Sequence, residues 1–219
     1  MALGANDIII RALTILDERL IDVNVLATTE MSLKDIAEEL LLSVSMKVVK
    51  ELPFELKRLL PTTNYNQTGY SVPGYSTSRK KKVILSVNDS FWELIAIKFP
   101  SWDKVVTNYI TVDSPEYGVQ NNPFTRAGSQ NPVVAMSDRG TSRVLECYSI
   151  EEGDSETTEI FRYVTVDNLP GSTSFGVLAP ALLEPFAKAL AAELIFIKDN
   201  ANKGQMLEDQ AQDNVNQHI

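Results

Sequence analysis

Four places in this chain carry residue types that could do chemistry: Ser78-Arg79-Lys80-Lys81, the acid-rich run EEGDSETTE at 151–159, the lone Cys147 and the lone His218. The first matches S-x-x-K, in which a lysine activates a serine nucleophile. That mechanism needs both residues aligned at a helix start, and here they follow TGYSVPGYST, a loop-like stretch. A histidine-activated serine or cysteine needs imidazole within hydrogen-bond reach, and His218 lies in the polar run NANKGQMLEDQAQDNVNQHI. The acids at 151–159 could hold Ca²⁺, but their spacing does not match the EF-hand loop, and the flanking strands suggest a solvated hairpin tip.

One cysteine and one histidine are too few for a structural zinc site, and one cysteine excludes an internal disulfide. Neither a G-x-G-x-x-G nor a Walker-type glycine loop occurs to cradle phosphate. No catalytic, cofactor-binding or metal-ligating residue is assigned, and no cofactor is expected. Cys147 reads as a small core residue alternating with Leu145 and Ser149, opposite Glu146 and Tyr148; Trp92 and Trp102 read as core.

The 219 residues, 44% hydrophobic and 22% charged, suffice for one sizeable core or two small ones. A net charge of −9 argues against a protein that grips DNA or an anionic membrane, while allowing a wall past which DNA slides. The opening MALGANDIIIRALTILDERL has no basic lead, and Arg11 and Asp17 interrupt its apolar run. Neither signal peptide nor membrane span is expected, and synthesis in the cytosol is.

Helical spacing of Ile9, Ala12, Leu13, Leu16 and Leu20 predicts a first helix from Asn6, with Asn6 or Asp7 as cap. Ser32 and Asp35 open a second, with apolar positions from Leu33 to Val48. FELKRLL, between Pro53 and Pro61, predicts a short third. Residues 62–82 lose all helical period and are expected as an extended arm or linker. Residues 83–175 have β texture in VILSVN, FWELIAIKF, VVTNYITV, PVVAMS, RVLECYSI and TEIFRYVTV. With no helix between them, an antiparallel sheet is expected, interrupted by a long loop at 113–131. LLEPFAKALAAELIFIKDN, at 182–200, is a closing helix that sorts Phe186, Leu190, Leu194 and Ile197 to one face and Ala187, Ala191 and Ile195 to its neighbour. The alanine face would admit either the N-terminal helices or another subunit. The expected fold class is α+β: a helical domain of 1–61 and 176–219, with a projecting antiparallel β domain at 83–175.

This order resembles the head-to-tail adaptor of short-tailed phages, the tail tubular protein A type, and in flavour a ring protein of crAss-like phages. The likeness runs through NDIIIRALTILDERLIDVN, SLKDIAEELLLSVSMKVVKELPFELKRLLP, FPSWDKVVTNYITVDS, NPVVAMSDRGTSRVLECYSI, IFRYVTVDNLP and ALLEPFAKALAAELIFIKDNANKGQMLEDQ. It covers nearly the whole chain as texture, with no diagnostic motif. TGYSVPGYSTSRKKK and the 113–131 loop depart from it. The resemblance implies a non-enzymatic virion protein, assembled in the host cytoplasm as a homo-oligomeric ring of about twelve copies. The ring would dock under the portal protein, extend the DNA channel without sequence-specific binding or membrane contact, and offer a platform to the next tail or ring protein. The subunit and partner interface candidates are Ala187, Ala191, Ile195, Arg79, Lys80, Lys81, Lys82, Tyr117 and Phe124. The alternatives are a carboxylate-dependent hydrolase, needing clustered acids of raised pKa, and a monomeric binding module that grips its ligand with long loops.

Overall fold

The computed structural model describes residues 3–19, 33–64, 66–72, 80–120, 122, 125–139 and 142–197. The helices are α1 (Ala5–Arg19), α2 (Leu33–Glu51), α3 (Phe54–Lys57), α4 (Pro115–Val119) and α5 (Leu183–Ile197). The strands are β1 (Thr63–Asn64), β2 (Tyr70–Ser71), β3 (Lys80–Ser86), β4 (Phe91–Lys98), β5 (Ile110–Thr111), β6 (Val134–Arg139), β7 (Ser142–Glu151) and β8 (Ile160–Thr165). The fold is α+β and divides into two compact units, Met1–Pro61 with Thr165–Ile219, and Thr62–Val164.

In the helical unit α5 packs against both α1 and α2. α1 starts one residue before Asn6, and Asp7 acts from inside the first turn, its carboxylate accepting from the Gly4 N–H at 2.7 Å. The Ser32 cap lies outside the described residues. Ile8, Ile9, Ala12, Ile15 and Leu16 of α1, and Ala37, Leu41, Val44 and Val48 of α2, are buried. Phe186, Ala187, Leu190, Ala191, Leu194 and Ile195 of α5 are buried too. An alanine face lets helix backbones approach closely, so the small residues of α5 set its packing within the chain. Two ion pairs flank this core, Arg11 Nε to Glu184 Oε1 at 2.6 Å and Lys47 Nζ to Glu193 Oε2 at 3.3 Å.

Residues 165–175, expected in the β domain, belong to the helical unit. Strand texture ends at Thr165 in a 3₁₀ turn at Val166–Asn168, and Leu169 is buried. Gly171 then passes so close to α2 that a Cβ would meet the Leu42 nitrogen at 2.5 Å, and its φ of +92° is one that side chains resist.

The β unit holds two sheets, β1-β8-β4 and β2-β3-β7-β6-β5. The second is mixed, since β5 runs parallel to β6 while its other pairs are antiparallel. Both sheets feed one core containing Val83, Leu85, Phe91, Leu94, Ile97, Leu145, Cys147, Ile150, Phe161 and Tyr163. Trp102 lies in it, edge-on to Phe99 at 5.0 Å, with its indole N–H donating to the Tyr148 carbonyl at 3.1 Å; Trp92 is only half-buried. The long strand expected at 105–112 reduces to a bridge between Ile97 and Val106 and the short β5.

The described residues at 63–71 of the expected arm are woven into both sheets. Thr63 and Asn64 pair with Tyr163 and Arg162 of β8, Thr68 bridges Thr157, and Tyr70 and Ser71 pair with Ile84 and Val83 of β3. Two-residue strands are too short to show a period of two, which is why the sequence reads as irregular. Gly69 makes this weave possible, because a Cβ there would lie 2.4 Å from Val83 Cγ1 and 2.6 Å from the Ile84 carbonyl oxygen. Lys80, Lys81 and Lys82 belong to β3 itself.

Candidate functional site

Between the pairs Lys81↔Ile150 and Val83↔Cys147, β7 places two residues, Tyr148 and Ser149, against the single Lys82 of β3. This β-bulge is closed by Ser149, a buried non-glycine residue with φ of 69°. Its hydroxyl donates to the Ala127 carbonyl. The bulge changes which residues face the core: Leu145 and Cys147 do so before it and Ile150 after it. The alternation expected to carry Ser149 alongside Cys147 therefore breaks.

On the other face of this sheet Glu146 is 1% exposed. Arg139 Nη2 donates to its Oε1 at 2.7 Å, and Lys82 Nζ, Tyr148 OH and Tyr117 OH donate to its Oε2 at 3.1, 2.8 and 3.1 Å. Lys82 Nζ also lies 5.5 Å from the centroid of the Tyr148 ring. Arg139 comes from β6, Lys82 from β3, Tyr148 from β7 and Tyr117 from α4, so one carboxylate ties four elements together. Burial alone would push the Glu146 carboxyl up; the bonds from Arg139 and Tyr148 and the charge of Lys82 outweigh it and hold the pKa at about 2. Burial and the same carboxylate push the Tyr117 phenol up. Glu146 is thus a permanent anion near neutral pH, suited to fixing register and unsuited to donating a proton.

Lys81, beside it in sequence, serves a second acid. Its Nζ reaches Glu156 Oε1 at 3.2 Å and the Asp154 carbonyl at 2.8 Å, while Ser71 Oγ donates to the same Glu156 oxygen. The Ser71 hydrogen bond and the Lys81 contact lower the Glu156 pKa. Hence both carboxylates whose pKa is displaced among the described residues move down, opposite to the direction a carboxylate general acid needs.

The structure places most of the sequence-derived interface candidates in contacts within the chain. Ala187, Ala191 and Ile195 are 0, 0 and 4% exposed within a single chain, so the alanine face is covered by packing inside the chain. Lys81 and Lys82 are engaged by Glu156 and Glu146, because a strand sends consecutive side chains to different surroundings and each finds its own acid. Tyr117 is half-buried in the Glu146 cluster. Lys80 is half-buried on β3, and Arg79 and Phe124 lie outside the described residues. Burial, then the Glu146 charge, push the Cys147 thiol well above its usual range, in keeping with a core role.

The cluster itself was not anticipated. Its one sequence signal is a glutamate in the middle of the apolar strand RVLECYSI, since a charge there needs a partner. Which partners it takes depends on strand order and on the bulge.

Among the described residues, no three His, Cys, Asp or Glu side chains converge as around a metal ion. None of the described helices is long and apolar enough to cross a membrane. No protein-family model matches the chain, and no curated protein matches it.

Proposed function

We propose that this chain is a structural, non-enzymatic protein of a short-tailed phage virion. It is the subunit of a ring of about twelve copies seated between portal and tail and continuing the DNA channel. The observation that carries this reading is the chain's architecture: segments from both ends form one helical unit, and the β unit is an insertion between them. That is the helix, sheet, helix order on which the adaptor resemblance rests. The charge of −9 is what a channel wall needs if DNA is to pass without being held. With the alanine face internal, the subunit contacts fall to apolar side chains that one chain leaves uncovered on the helical unit. Ile10 of α1 is 54% exposed, and Val177 55%.

The test is class averaging by electron microscopy of the purified protein, alone and mixed with the portal encoded in the same genome. Rings on the portal are expected, and Ile10→Asp is expected to abolish them while leaving the helical circular dichroism intact. Isolated compact particles in both wild-type samples would overturn the reading.

A further inference from the structure

The sheet β1-β8-β4 borders a shallow cavity of about 260 Å³, lined by Asn64, Asn66, Glu159, Ile160, Phe161 and Arg162. Arg162 stands opposite Asn64 in the β1–β8 register. It is half-buried, its Nε is buried without a hydrogen-bond partner, and its Nη2 makes one long bond to Thr62 Oγ1 at 3.4 Å. A guanidinium carries five N–H donors and a charge that, once partly desolvated, calls for a counter-ion. Among the described residues no carboxylate supplies one. The acid of the cavity, Glu159, is taken by Lys98, with Oε2 and Nζ 2.6 Å apart.

We propose that this cavity binds an oxyanion, the shared chemistry of a phosphate and a carboxylate group. The planar guanidinium of Arg162 matches two oxygens of such a group at once, which a lysine would not. Asn64 and Asn66, both exposed at the rim, bring carboxamide N–H groups to the remaining oxygens. The volume is below the range of about 300–1,000 Å³ typical of whole-ligand pockets, so the site takes an anionic group and not an extended cofactor. The site is independent of the ring reading and stands or falls on its own test.

That test is a ¹H–¹⁵N titration of the full chain with inorganic phosphate and, in parallel, with acetate, at constant ionic strength. Saturable shifts confined to the side-chain N–H groups of Asn64, Asn66 and Arg162 are expected, and the anion that saturates at lower concentration identifies the source. Arg162→Gln should weaken binding by about tenfold or more, the loss of one charge-assisted contact. Asn66→Ala, at an exposed position, should weaken it severalfold and serves if Arg162→Gln does not fold. Shifts that stay linear and scattered over the surface with both anions would overturn the proposal. So would folded variants that titrate like the parent.

Discussion

Replacing Glu146 by glutamine removes the anion at the centre of the sheet while keeping its shape. The ionised carboxylate is favoured by the fall of its pKa from the ordinary 4.5 to about 2. At about 1.4 kcal/mol per pH unit, that fall corresponds to about 3 kcal/mol. The figure agrees with the loss of about 3–5 kcal/mol seen when one partner of a buried pair is removed, because Lys82, with a side chain only 11% exposed, is left without its anion. Both tryptophans, Trp92 and Trp102, lie in the β unit, so urea unfolding followed by their fluorescence reports on that unit alone. The pKa is depressed in the folded state. The stabilisation is therefore complete above about pH 4.5 and is lost as pH falls through about 2. Glu146→Gln should unfold about 3 kcal/mol more easily than the parent at pH 7, and the gap should shrink to about 1.4 kcal/mol at pH 3. A gap under about 0.5 kcal/mol at pH 7, or one of equal size at both pH values, would refute the assignment of Glu146 as a paired buried anion.

Two further outcomes follow from the packing. Ser149→Val should destabilise the β unit by about 1–2 kcal/mol, since a β-branched side chain resists φ of 69° more than serine does. Ser149→Gly should stay within about 0.5 kcal/mol of the parent, relief of strain offsetting the lost hydroxyl bond; denaturation midpoints distinguish the two. Ala191→Glu, at a position 0% exposed between packed helices, should melt the helical unit and depress the 222 nm ellipticity. If the variant folded normally and failed only to assemble, the internal placement of α5 would be wrong.

The elements that could be read from sequence are those long enough to show a period. α1, α2 and α5 are 15, 19 and 15 residues long, and β3, β4, β6, β7 and β8 each overlap a run of strand texture, although β3 begins at Lys80, inside the stretch expected as an arm. What escaped was local and geometric. β1 and β2 are two residues each, and their place depends on Gly69 allowing a close approach that no pattern announces. The boundary at Thr165 escaped because Val166 carries the β-branched texture past the point where the strand stops. The basic run escaped for a different reason. Four consecutive cations suggest a surface patch, yet Lys81 and Lys82 are drawn to acids 75 and 64 positions away in the chain.

That last pairing bears on how the β unit selects one structure. Sliding β3 by one residue along β7 would carry Lys82 away from Glu146 and send Val83 and Leu85 out of the core, because a one-residue slip exchanges the two faces of a strand. The apolar pattern alone opposes such a slip on one face; the Glu146 cluster opposes it on the other. The bulge at Tyr148 and Ser149 makes the two requirements compatible, since it lets Cys147 and Ile150 both face the core while Lys82 keeps its carboxylate. A strained serine is thus retained where an unstrained strand would have to give up either the ion pair or the core position of Ile150.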